Sequence, residues 1–136
     1  MKKIVLLILI LISTGCYEES GKLVTTCTNK ENINSLYKEI KYTIDFKADI
    51  VNNVVITYYY NDSDLNTLSS IKTSTNTSDK FIYGLRRNVE IDNDKEFKIS
   101  YIVDLKDSQE ILNKFYVQEK RSNLIKNLKE KGFECS

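Results

Sequence analysis

Between Ile40 and Asp49 the chain alternates without a break: Ile40, Tyr42, Ile44, Phe46 and Ala48 are separated by Lys41, Thr43, Asp45, Lys47 and Asp49. A period of two sets all the apolar side chains on one side of an extended backbone, so this stretch predicts a strand with one buried and one wet face. Val51, Asn52 and Asn53 supply turn residues, because Asn tolerates left-handed backbone angles. The chain then returns through Val54 to Tyr60 with β-branched and aromatic residues, which predicts a long antiparallel hairpin over 36–61. A second hairpin follows the same logic. Val89 and Ile91 precede an Asn93-Asp94 turn, and Phe97, Ile99, Tyr101 and Val103 then alternate with Lys98, Ser100, Ile102 and Asp104.

Two half-apolar hairpins need a cover, and the remaining apolar residues have helical spacing. Asp107 can cap a helix with Glu110 three residues on, and Ile111, Leu112, Phe115 and Tyr116 form its stripe. A last helix around 123–131 shows Leu124, Ile125 and Leu128 on one face, with Gly132 as its stop. Earlier, Asn61-Asp62-Ser63-Asp64 can cap a short helix carrying Leu65, Leu68 and Ile71. Residues 71–78 are mostly Thr, Ser and Asn, poor helix formers, and read as a loop or another strand. Residues 79–85 can restart a helical turn around Phe81 and Ile82. Residues 23–28 read as a first strand carrying Cys27, and 29–34 as a turn. The fold class is α+β: an antiparallel sheet of two hairpins with helices packed on one face.

The first residues are of another kind. Met1-Lys2-Lys3 precedes nine consecutive Ile, Leu and Val residues, Ile4 to Ile12, and Ser13-Thr14-Gly15 then leads to Cys16. A helix that crosses a bilayer needs roughly 20 apolar residues, so the run is too short to remain as an anchor. A basic start, a short apolar centre and a small-residue exit form a secretion signal. The cysteine at the exit resembles the lipobox of bacterial lipoproteins, although Ser13 stands where Leu is commoner. The resemblance implies that 1–15 is removed, that Cys16 carries diacylglycerol, and that 16–22 tethers a single domain, 23–136, to the extracytoplasmic face of the membrane. The alternative is a cleaved signal with a structural cysteine nearby.

Of the 136 residues, 121 remain after the first 15, enough for one ordinary domain. Lys2 and Lys3 leave with the signal, so 18 basic residues face 19 acidic ones. That balance gives no reason to expect a nucleic-acid partner. The chain has no His, which removes the usual general base and zinc ligand. Its four Gly, at 15, 21, 84 and 132, form no phosphate-cradling loop. No catalytic residue, metal ligand or cofactor is expected.

With Cys16 lipidated, two cysteines remain, Cys27 and Cys135. Outside the cytoplasm such a pair tends to oxidise. A bridge would close a loop of about 110 residues and disfavour the unfolded chain by about 4–5 kcal/mol; two free buried thiols are the alternative.

Three motifs carry carboxylates at spacings that invite chemistry. Asp62-x-Asp64-x-Asn66 has the start of a calcium loop, but Thr67 and Thr73 stand where Gly and Glu are needed, so a strand-end turn is the better reading. Asp92-x-Asp94-x-Glu96 reads as turn chemistry. Asp104 and Glu110 could form an acid–base pair only if they converged in a cleft. The one feature that invites a binding role is Tyr58-Tyr59-Tyr60, whose rings alternate between faces of a strand, since exposed aromatics recur in binding surfaces. Tyr also simply favours half-buried sheet positions.

The lipobox cysteine, the Thr26-Cys27-Thr28-Asn29-Lys30 segment, the long hairpin and the ending Leu128-Lys129-Glu130-Lys131-Gly132-Phe133-Glu134-Cys135 together resemble small bacterial lipoproteins of the YehR-like family. The likeness spans most of residues 16–136. It implies the α+β fold, the envelope location and a cysteine at both bridge positions, and supplies no catalytic residues. The functional expectation is a non-enzymatic lipoprotein that binds an unknown partner or ligand in the cell envelope. The alternatives are a small extracytoplasmic hydrolase or ligand-sequestering protein, whose mark would be a pocket of converging carboxylates or tyrosines, and an accessory subunit that pairs through a sheet edge.

Overall fold

The computed structural model describes residues 23–136, so the expected signal peptide (1–15), the expected lipidation at Cys16 and the expected tether (16–22) lie outside the described residues. Six strands form one sheet: β1 (Leu23–Ile33), β2 (Leu36–Lys47), β3 (Ile50–Asn61), β4 (Arg86–Asp92), β5 (Glu96–Asp104) and β6 (Glu134–Cys135). Their order across the sheet is β4-β5-β3-β2-β1-β6, and all neighbours are antiparallel. The described residues also form three helices, α1 (Leu65–Lys80), α2 (Gln109–Lys114) and α3 (Arg121–Glu130).

Register explains the core. Cys27, Tyr42, Ile56 and Tyr101 stand opposite one another in successive strands, as do Thr25, Ile44, Val54 and Val103 in the next row. Opposed residues in a ladder share a face, so the alternation places all of these on one side. That side meets Leu68 of α1, Ile111 of α2, and Leu124 and Leu128 of α3, all buried. Each such Leu or Ile contributes about 1.5–3 kcal/mol by leaving water. The other face carries Lys41, Thr43, Thr57, Tyr59, Lys98 and Ser100, and no helix among the described residues covers it. Tyr42 ties the layers together, because its hydroxyl donates to the Phe115 carbonyl at 3.0 Å, one of the carbonyls that a helix end leaves unpaired.

Four expectations shift. The two-hairpin description misses a third: residues 29–34 are not a turn, since β1 runs to Ile33 and pairs with β2 around Asn34-Ser35. Residues 30–33, polar but for Ile33, belong to a hairpin end that projects past the core and is exposed, and Asn34 takes the positive φ, 56°. The β2–β3 turn falls at Ala48-Asp49 rather than at 51–53, and the pairing slips so that Asn52 has no opposite residue. That turn is drawn to α3: the Asp49 carboxylate accepts from the Ser122 N–H at 2.9 Å and its hydroxyl at 2.6 Å, and so caps a helix that lacks a side-chain cap of its own. Those bonds hold the Asp49 carboxyl below its ordinary range. Finally, α1 continues through the Thr/Ser/Asn stretch to Lys80, where a loop or strand was expected. At α2 the cap is Ser108, while Asp107 accepts from the Asp104 N–H at 2.8 Å.

Cys27 and Cys135 are opposed residues of β1 and β6 and form a disulfide across a sequence separation of 108. The two ends of the domain are thereby joined at the sheet edge.

Candidate functional site

Leu68, Ile71, Thr75 and Asp79 follow one another at spacings of three, four and four, the stripe that a helix turns towards its support. The stripe begins apolar and ends in a carboxylate over β5. The Asp79 side chain is 2% exposed. Its Oδ2 accepts from the Tyr101 hydroxyl at 2.5 Å and lies 3.2 Å from Arg87 Nη1. Its Oδ1 lies 3.8 Å from Lys114 Nζ. Helix α1, β5, β4 and the end of α2 thus each supply one member. Arg87 is also held by Asn76, whose Oδ1 accepts at 2.6 Å.

A carboxylate taken out of water costs several kcal/mol unless cations and donors replace the lost hydration. Here two cations and a phenol do so, and among the described residues no buried side-chain polar atom lacks a partner. Beside this group, between α1 and the sheet, lies a cavity of about 200 Å³ bordered by Tyr58, Tyr60, Ser74, Ser78, Asp79 and Tyr101. Tyr58 meets Tyr101 edge-on at 5.8 Å, and Tyr60 stacks on Phe97 at 6.2 Å. Burial raises the Tyr58 hydroxyl above its ordinary range. For Tyr101 burial comes first, then the hydrogen bond to Asp79. The lining therefore presents neutral phenol and serine hydroxyls with ring faces, chemistry suited to holding a small polar molecule. Its one acid already has three partners.

The tyrosine triplet is divided by the sheet. Tyr58 and Tyr60 look into the cavity. Tyr59 lies on the opposite face of the sheet, where its hydroxyl donates to Glu96 at 2.6 Å and its ring meets Tyr37 edge-on at 6.0 Å. There it borders a depression of about 220 Å³ with Glu39, Lys41, Thr57 and Lys98. Two larger open hollows, of about 730 and 590 Å³, flank β6 on either side of Cys135.

The carboxylate motifs serve local structure. Asp62 accepts from the Ser35 hydroxyl at 2.7 Å and the Asp64 N–H at 2.9 Å, while Asp64 caps α1 through the Asn66 N–H at 2.9 Å. Among the described residues no three His, Cys, Asp or Glu side chains gather as a metal site. Asn93 organises the β4–β5 turn by accepting from the Lys95 and Glu96 N–H groups at 3.0 and 2.8 Å. Asp104 is drawn with Asp107 onto Arg86, at 3.2 and 3.1 Å, and Glu110 is exposed. Asp79, Arg87, Tyr101 and Lys114 were not singled out as site residues from the sequence. The stripe from Leu68 to Asp79 carries the available signal, but the Thr, Ser and Asn residues between Ile71 and Asp79 argue against a helix and mask it.

No protein-family profile matches the chain, and no curated protein matches it. Two solved structures resemble it. One is a protein from Streptococcus pneumoniae TIGR4, determined by NMR, at 12% identity over 86% of each chain with a TM-score of 0.53. The other is the E. coli YehR protein, also an NMR structure, at 15% identity over 85% of this chain and 92% of that one, again with a TM-score of 0.53. The resemblance to YehR read from the sequence is therefore present in the fold. At these identities the likeness shows the fold alone, and neither name carries an activity.

Proposed function

We propose that this chain is a lipid-anchored envelope protein whose domain is a non-catalytic binding module. In this reading residues 1–15 are a signal, Cys16 carries diacylglycerol, and 16–22 tether the domain at the extracytoplasmic face of the membrane. The observation that carries it is the pairing of Cys27 with Cys135. That bridge belongs to an oxidising compartment and uses both other cysteines, leaving Cys16 as the one thiol available to a lipid. The engagement of Asp79 by Tyr101, Arg87 and Lys114 also favours holding over turnover, since both oxygens of the carboxylate already face partners within the fold. Intact mass of the membrane-extracted protein, with and without reduction, tests the reading. Diacylglycerol on a chain that begins at Cys16, with two protons gained on reduction, is the expected result. An unlipidated, reduced chain would remove its basis.

A ligand-sequestering role is the second reading, favoured by the cavity itself, where Tyr58, Tyr60 and Tyr101 converge beside Asp79. At about 200 Å³ it is smaller than the roughly 300–1,000 Å³ of drug-sized pockets, so the ligand would be small and polar. A screen of small polar metabolites by thermal shift checks this. A true ligand raises the melting temperature in proportion to the logarithm of its concentration, and Ser78→Val should abolish the rise.

A further inference from the structure

The loop between α1 and β4, residues 81–85, presents two rings that the fold does not use. Phe81 is 77% exposed and Tyr83 95% exposed. They do not dangle on a loose segment. Ile82 and Leu85 pack against the core from the same loop, the Ile82 N–H donates to the Asp79 carbonyl at 3.1 Å, and Gly84 turns the backbone at a φ of 79°. The loop is pinned by Ile82 and Leu85 while Phe81 and Tyr83 are held outward.

Register locates it. Leu23 opens β1 opposite Phe46 near the end of β2, the β2–β3 turn follows at once, Asn53 faces Asp104 at the end of β5, and Ile102 faces Arg86 at the start of β4. The chain thus enters from Cys16 at the same end of the sheet from which loop 81–85 projects. Leu23 and Arg86 are four strand spacings apart, about 19 Å. Seven residues from Cys16 to Leu23 span at most roughly 25 Å. Whatever surface holds Cys16 lies within reach of this end. Exposed Leu23, Val24, Ile50 and Ile102 stand at the same end. Its charges are mixed, with Lys47, Lys80 and Lys106 among Asp49, Asp104 and Asp107, so no single-sign field selects charged headgroups.

We propose that Phe81 and Tyr83 are a membrane-contact site: the two rings enter the headgroup region of the bilayer that holds Cys16 and fix the orientation of the domain on it. Resting on the anchor reading above, this deepens it. Aromatic side chains favour that interfacial zone. No helix among the described residues is long and apolar enough to cross a membrane. Two rings bind weakly alone, but a lipid on Cys16 makes their insertion intramolecular, at high effective concentration.

The absence of Trp from the chain makes single reporters clean. Phe81→Trp and, as control, Leu65→Trp, at a 57% exposed position on the opposite end, are made in the full chain and reconstituted in phosphatidylcholine vesicles containing brominated lipid. The indole at position 81 should shift its emission to the blue and be quenched at least threefold more than that at position 65, equally at low and high salt. Quenching at position 81 no greater than at position 65 overturns the proposal. So does shielding of position 81 that rises with protein concentration in vesicle-free solution, which would assign the rings to a second copy. Mass spectrometry of the same sample reports Cys16 independently. Should Cys16 be unmodified, the anchor reading fails by itself, and coupling its thiol to a maleimide lipid lets the loop be judged in the same assay.

Discussion

Asp79 occupies the last turn of α1, where the carbonyl end of the helix disfavours a negative charge, while the first turn of that helix holds no acid at all. Its place is set by partners on other elements, which makes it a test of how the layers are joined. Tyr101→Phe removes the 2.5 Å hydrogen bond but leaves Arg87 and Lys114 in position. A hydrogen bond to a charged group contributes about 1.5–3 kcal/mol, so urea unfolding should show a loss of that size with an unchanged slope; a loss under about 0.5 kcal/mol would make Arg87 and Lys114 sufficient. The tyrosines also set an alkaline limit. Burial raises the hydroxyls of Tyr42, Tyr58 and Tyr101 above their ordinary range. Because the folded values lie above the unfolded one, their contribution is fully present below about pH 10 and is lost as pH rises from there towards the folded values. Phenolate absorbance from these three should therefore appear together with unfolding, in a step steeper than a single-proton titration. A smooth, non-cooperative titration of all nine tyrosines would contradict their burial.

Helix α1 shows tertiary structure overriding local preference. Its Thr, Ser and Asn content argues against a helix, yet 16 residues form one, capped by Asp64 at one end and held through Leu68 and Asp79 by the sheet. Thr73 and Thr77 are exposed, so Thr73→Ala and Thr77→Ala should each stabilise by roughly 0.5 kcal/mol, raising the melting temperature of the double variant by about 4 °C. Asp64→Ala should cost about 1 kcal/mol; calorimetry of the four variants measures both signs. The same helix shows what the sequence made legible. Strands whose alternation matches a half-buried sheet, Ile40 to Ile44 and Phe97 to Val103, were readable because pattern and propensity agree. The last helix was readable for the same reason, and Gly132 does stop it at a φ of 92°. Residues 29–33 were misread because a strand that overhangs the core needs no apolar face. The turn at Ala48-Asp49 was misplaced because its position is fixed by Ser122, 73 residues away, which no local window contains. The cavity beside Asp79 was illegible for that reason too, being assembled from four elements.

At the scale of the molecule, the C-terminal strand is almost too short to be one. Two residues of β6 pair with β1, supported by reciprocal backbone bonds between Thr26 and Ser136 at 3.0 and 2.9 Å. So short a strand has little cooperative strength of its own. What holds it is the turn at Gly132, which delivers Phe133 onto Tyr42 edge-on at 5.4 Å, and the Cys27–Cys135 bond beyond. Closing a loop with a sequence separation of 108 removes about 4–5 kcal/mol of unfolded-chain freedom, a large share of the 5–15 kcal/mol typical of whole domains. Cys27→Ala with Cys135→Ala should therefore lower unfolding stability by about 4 kcal/mol while leaving β1 to β5 paired. Hydrogen exchange resolves the two effects: the Ser136 amide should lose protection locally, and the Tyr42 and Ile56 amides only as much as global stability falls. If those central amides exchange as slowly in the double variant as in the oxidised protein, the bridge does not restrain the unfolded chain, and Phe133 with the Thr26–Ser136 bonds is sufficient to close the sheet edge.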